Sequence, residues 1–176
     1  MHDYTIGLMS GTSLDGADGV LVDFSGDTLR VVATASQPFT EVFRAELLAL
    51  NTPNGSDELH RCMLAANALA RMYTEVVRAL LREAKLQPAQ IRAIGAHGQT
   101  VRHRPKEFDH VGYTVQLNSP ALLAELSGIA VVAEKTHLSR ETLYRTLSSR
   151  GNPTIRTLNA VLKATGLRFG VSANVC

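Results

Sequence analysis

Residues 6–24 read IGLMSGTSLDGADGVLVDF: an apolar run, then Gly-Thr-Ser, then two aspartates among glycines, then a second apolar run. No other stretch constrains the fold as much. Tyr4 to Met9 has the composition of a strand, and Ala17 to Phe24 alternates so that Val20 and Val22 share a face. The glycine-rich residues between them then form the turn of a hairpin. Ser25-Gly26-Asp27 supplies the next turn and Thr28 to Ala35 a third strand, which predicts an antiparallel meander.

The hairpin turn is richer than a turn requires. Glycine permits positive φ and close approach of a ligand, so Gly11 and Gly16 can aim several backbone N–H groups into one concavity that suits an anion. Thr12 and Ser13 add hydroxyl donors, and Asp15 and Asp18 suit Mg²⁺. Carboxylates beside phosphates repel unless a metal lies between them, so an anion site here implies a metal nucleotide. The pattern is not a Walker loop, because the first lysine of the chain is Lys85. It is not a dinucleotide fingerprint either, since a strand rather than a helix follows. On spacing alone, a plain hairpin turn and a phosphate cradle both remain open.

From Asp57 the apolar period changes to three and four, running from Leu59 and Met63 to Leu81 and Ala84. This predicts a long amphipathic helix with Ser56 as N-cap, stopped by Leu86-Gln87-Pro88. Ile91 to Ala96 reads as a strand that enters a polar loop, HGQTVRHRP, and Tyr113 to Leu117 as another strand. Ser119, Pro120 and Gly128 then bracket a short helix. Strands alternating with helices predict an α/β layer. His97, Gly98, Gln99 and Thr100 follow the end of a strand, where open α/β sheets bind ligands. His97 suits a general base or a donor, Gln99 and Thr100 suit sugar hydroxyls, and Arg102 suits a phosphate. A loop histidine satisfied by backbone is the competing reading for His97.

Charge divides the chain. Residues 1–133 hold 11 Lys or Arg against 14 Asp or Glu, and residues 134–176 hold 7 against 2, so the two parts carry −3 and +5. That asymmetry predicts two pieces with different partners, the second suited to nucleic acid. The N-terminus lacks a basic and apolar leader, and no run of about 18 apolar residues occurs, which predicts a cytoplasmic protein without a membrane partner. Cys62 and Cys176 make no metal or disulfide spacing.

Three stretches, IGLMSGTSLDGADGVLVDF (6–24), IRAIGAHGQTVRHRP (91–105) and YTVQLNSPALLAELSGIAVVAE (113–134), together resemble the anhydro-N-acetylmuramic acid kinase family of the actin-like ATPase and sugar kinase superfamily. The resemblance covers residues 1–133. It implies an α/β N-terminal lobe of the actin-like ATPase and sugar kinase fold, a mixed sheet with helices. It implies ATP and Mg²⁺ as cofactors, and ATP-dependent phosphorylation of 1,6-anhydro-N-acetylmuramic acid, an anhydro-amino-sugar, with hydrolytic ring opening during peptidoglycan recycling. Carried onto this sequence, the family's ATP-phosphate site is Gly11, Thr12, Ser13, Leu14, Asp15, Gly16, Ala17 and Asp18, with Asp15 toward Mg²⁺. The substrate cleft lies by His97, Gly98, Gln99 and Thr100. The family continues with a DFRxxD segment whose second aspartate is the expected base. Here Glu134 stands in place of the first aspartate and nothing matches the second, so no catalytic residue is identifiable. The 176 residues are expected to lack a second lobe and kinase turnover, and to offer a face for self-association.

EKTHLSRETLYRTLSSRGNPTIRTLNAVLKATGLRFGV is similar instead to the C-terminal half of addiction-module antitoxins with a helix-turn-helix. Its helical patterns are Arg140 to Leu147, capped by Ser139, and Ile155 to Thr165, a short α-helical tail. The resemblance implies DNA contacts from Ser139, Arg140, Thr142 and Arg145. Two domains are therefore expected, 1–133 and 134–176, arising from a natural fusion. The readings that compete are a carbohydrate-kinase lobe, a DNA-binding regulator and an inactive product. At the junction, GIAVVAEKTHLSRE fits a strand in one family and a helix in the other, and only one period is realised at a time.

Overall fold

The structure, a computed structural model, describes residues 3–26 and 28–133. The chain divides between Ala133 and Glu134, and the described residues all belong to the first unit. The tail patterns, with Ser139, Arg140, Thr142 and Arg145, lie outside the described residues.

The meander forms as its alternation predicts. β1 (Tyr4–Ser10), β2 (Gly16–Asp23) and β3 (Arg30–Pro38) pair antiparallel in succession. Two further strands join the other side of β1 in parallel, β4 (Ile91–Ala96) and β7 (Val131–Ala133), giving a mixed five-stranded sheet of order β3-β2-β1-β4-β7. A two-stranded ribbon of β5 (Gln99–Pro105) and β6 (Gly112–Leu117) stands beside it. The expected polar loop after β4 is thus a strand. In QTVRHRP the buried residues Gln99, Thr100 and Val101 are consecutive and only Val101 among them is apolar, so no two-residue apolar period marks the strand.

Three α-helices accompany the sheet among the described residues: α1 (Glu41–Asn51), α2 (Glu58–Ala84) and α3 (Pro120–Ser127). The buried face of α2, with Leu69, Tyr73, Val76, Val77 and Leu80, covers Ile6, Leu8, Leu21 and Ile94 of the sheet. Each such side chain removed from water contributes roughly 1.5–3 kcal/mol. The helix lies so near β2 that a Cβ on Gly19 would come 2.4 Å from Val76 Cγ1. At 27 residues α2 is about 40 Å long, whereas strands of 7–9 residues span about 23–31 Å. Its first turns therefore overhang the sheet. Leu59 and Met63, expected on the apolar face, are exposed for that reason. The overhang packs instead against α1 in a second core of Leu47, Leu50, Ala65 and Ala66 with Leu14, Val101 and Leu117.

The caps refine the predicted boundaries. The cap of α2 is Asp57 at φ 46 rather than Ser56, because the Glu58 carboxylate reaches back to accept from Gly55 N at 2.6 Å. α1 is an addition, announced by Thr40, whose hydroxyl accepts from Phe43 N at 3.2 Å. α3 begins with Pro120 and ends at Gly128, its left-handed C-cap, as predicted, but the Ser119 side chain makes no capping hydrogen bond. Val131 to Ala133 takes the strand alternative of the junction, paired with β4. No helix among the described residues is long and apolar enough to cross a membrane.

Candidate functional site

Because β1, β4 and β7 are parallel, their C-terminal ends share one edge of the sheet. The turn after β1 and the turn after β4 both open there. They touch: the buried Ser10 hydroxyl, at the end of β1, donates to Gln99 Oε1, while Gln99 Nε2 donates to Thr100 O at 3.0 Å. Ser10 Oγ also lies 3.2 Å from Gly16 O, and His97 N donates to Leu8 O at 3.0 Å. The two polar constellations of the sequence, separated by about eighty positions, are one structural neighbourhood.

In the hairpin, Thr12, Ser13, Asp15 and Asp18 are exposed, whereas Leu14 and Ala17 are buried. The residue with positive φ is Leu14, at 56°, and neither Gly11 nor Gly16 has one. This corrects the expectation that the glycines supply the left-handed geometry. Gly16 is needed for another reason: a Cβ there would come 2.4 Å from Gln37 O on β3. Leu14 N donates to Gly11 O at 3.2 Å and Phe39 N to Asp15 O at 3.0 Å, closing the turn. Polar side chains outside and two apolar ones, Leu14 and Ala17, inside make an open, water-facing turn. Among the described residues no group of three or more His, Cys, Asp or Glu could hold a metal by itself. Mg²⁺ keeps several waters and takes one or two carboxylates together with phosphate oxygens, and the exposed carboxylates of Asp15 and Asp18 are ligands of that kind.

Across from the hairpin, Gly98 sits at φ +79 and a Cβ on it would meet Leu117 O at 2.4 Å, so only glycine fits. His97 is half-buried with both ring nitrogens engaged: Nδ1 lies 3.2 Å from Gly98 O and Nε2 3.0 Å from Gln116 Nε2. With Gln116 donating to Nε2, Nδ1–H is the donor to Gly98 O, a tautomer assigned from its partners. Proton transfer by His97 would require Gln116 to move. Thr100 Oγ1 and Asn118 Oδ1 are buried without a hydrogen-bond partner, and Asn118 Nδ2 donates to Ala96 O at 2.9 Å at the end of β4. Unpaired buried oxygens at a strand edge suit a bound hydroxyl or water.

Arg102 does not join this neighbourhood. Its Nη2 donates to Glu58 Oε2 at 2.9 Å and to Leu50 O at 3.0 Å, tying β5 to the α1–α2 connection. The guanidinium expected on a phosphate is a structural clamp. Ser10, Gln116 and Asn118 are the additions. A serine closing an apolar strand was the one available signal for Ser10; the other two contacts depend on the ribbon, whose first strand reads as a loop.

The family model described as "Anhydro-N-acetylmuramic acid kinase" matches residues 3–142, and one described as "Probable addiction module antidote protein" matches residues 116–173. Among curated relatives, the anhydro-N-acetylmuramic acid kinase of Albidiferax ferrireducens is 61% identical over 134 residues, 76% of this chain and 34% of that protein. That of Bordetella pertussis is 53% identical over 175 residues, 97% of this chain and 44% of that protein. That of Cupriavidus pinatubonensis is 49% identical over 173 residues, 98% of this chain and 44% of that protein. The chain thus spans between a third and a half of the length of these relatives. A crystal structure of human ENDOV matches with a TM-score of 0.37 and 20% identity, covering 82% of this chain and 52% of that one, below the level of a shared fold.

Proposed function

Since the chain belongs to the anhydro-N-acetylmuramic acid kinase family, we propose that residues 1–133 form the phosphate-binding lobe of an ATP-dependent amino-sugar kinase with an actin-like fold. One observation carries this reading: the Ser10–Gln99 hydrogen bond, which joins the glycine-rich hairpin to the HGQT turn at the C-terminal edge of the parallel strands. In this reading the backbone N–H groups from Gly11 to Asp18 and the hydroxyls of Thr12 and Ser13 cradle the phosphates. Asp15 takes part in holding Mg²⁺, which would neutralise charge on the transferred phosphoryl. Gln99, Thr100 and His97 orient the hydroxyls of 1,6-anhydro-N-acetylmuramic acid. ATP use is consistent with a cytoplasmic location.

Opening the anhydro ring requires water as nucleophile and a carboxylate to take its proton. The family's base has no counterpart in these 176 residues, where Glu134 occupies the earlier aspartate position. We therefore assign binding to this chain and not turnover. Calorimetry with Mg·ATP tests the assignment: heat that falls at least fivefold in Asp15→Asn, and that needs Mg²⁺, supports it. Absence of binding by the parent chain refutes it.

A second reading rests on the antidote-family match to residues 116–173. In it the basic tail, through Ser139, Arg140, Thr142 and Arg145, binds duplex DNA.

A further inference from the structure

Leu14 combines two features that rarely coincide. Its backbone is left-handed, φ 56, a region that bulky side chains seldom occupy, and its side chain is only 4% exposed. Both neighbours in sequence, Ser13 and Asp15, are exposed. The side chain enters the core built by Leu47 and Leu50 of α1, Ala65 and Ala66 of α2, and Val101 and Leu117 of the ribbon. A plain hairpin turn would place glycine or asparagine at this φ. Here an uncommon conformation persists because the surroundings hold it, the usual situation of backbone strain at a ligand-binding turn.

We infer that Leu14 is a positioning residue: its side chain, seated in the α1–α2–ribbon core, fixes the hairpin in the left-handed turn that directs Thr12, Ser13 and Asp15 outward. The inference rests on the hairpin being the phosphate cradle and assigns its shape to a core outside the main sheet. α1 and the overhanging turns of α2 then have a function in ligand binding without touching the ligand. Loosening that core loosens the cradle.

The experiment uses the full chain and two readouts. One is Mg·ATP affinity. The other is amide hydrogen exchange at position 14 and at Phe39, whose N–H groups close the turn, measured against the amides of Ile6 and Leu21 in the main sheet. Leu14→Ala should raise exchange in the turn at least tenfold more than in the sheet and lower Mg·ATP affinity at least fivefold. Leu14→Met, unbranched and similar in volume, should restore both to within about twofold of the parent. Leu14→Gly relieves the backbone yet removes the anchor, and should behave like Leu14→Ala. A glycine variant with parental exchange and affinity would overturn the inference, because backbone conformation alone would then set the turn. Equal acceleration in turn and sheet would overturn it too, as general destabilisation. Should Leu14→Ala not fold, the methionine and glycine variants carry the same comparison. If the parent chain binds no Mg·ATP, the phosphate reading fails, while the exchange comparison still decides whether Leu14 positions the turn.

Discussion

Single side chains hold the candidate site together at points where substitution leaves a partner stranded. Ser10 and Gln99 are both buried, and the serine hydroxyl is the donor to Gln99 Oε1. Removing that donor leaves a buried amide oxygen without its partner, which costs about 1–3 kcal/mol. Ser10→Ala is therefore expected to lower unfolding free energy by about that amount in urea titrations. A replacement that is neutral in stability would mean that water or Ser10's neighbours already satisfy Gln99. HGQT alone marks Gln99 and Thr100 as candidates, because polar residues directly after a buried strand stand where open α/β sheets bind ligands. Ser10 is not, since a serine at a strand end reads as turn composition until its burial is known. Leu14 shows the same limit: its sequence neighbours advertise a turn, and only its placement reveals why a leucine stands there.

At the scale of elements, helix lengths and cap positions decide how the hairpin is supported. Arg102 and Glu58 join the ribbon to the start of α2, and Arg61 pairs with Glu46 of α1 at 2.7 Å. The Gly55 N–H, aided by Arg102, holds the Glu58 carboxyl below its usual value of 4.5, and Arg61 does the same for Glu46. A carboxyl whose pKa is lower in the folded than in the unfolded state binds fewer protons when folded. Its contribution is thus complete above about pH 4.5 and declines as pH falls through the folded value. Acidification below pH 4.5 should loosen the α1–α2 junction before the sheet, seen as faster exchange at Arg61 N and Thr52 N than at Ile94 N. Glu58→Gln should remove part of that pH dependence, and an unchanged profile would exclude the clamp. The meander, the long helix and α3 are legible because each alternates or caps in its own right. The ribbon is legible in part: Tyr113 to Leu117 reads as a strand, whereas β5 buries the consecutive Gln99, Thr100 and Val101, so its hydrophobic pattern marks no period.

For the whole molecule, the two family matches overlap over residues 116–142, and the fold assigns the described part of that overlap. Leu117 is buried, α3 packs on the main core through Leu123, and Val131 to Ala133 pairs with β4. Residues 116–133 are thus committed to the α/β unit. An antidote-like activity of this chain has to come from residue 134 onward, without the earlier residues that its family match includes. Electrostatics points the same way, with +5 beyond residue 133 against −3 before it. If Arg140 and Arg145 each contact one phosphate, the slope of log affinity against log salt is about −1.8, and affinity falls roughly tenfold between 50 and 200 mM salt. The expected result for the full chain is weak duplex DNA binding with that slope, and for residues 1–133 alone no DNA binding but unchanged Mg·ATP binding. Fluorescence anisotropy on a labelled duplex of arbitrary sequence measures the first and calorimetry the second. Equal DNA affinity for the shortened and full chains would remove the tail from consideration, because an acidic lobe carrying −3 could not account for it by charge.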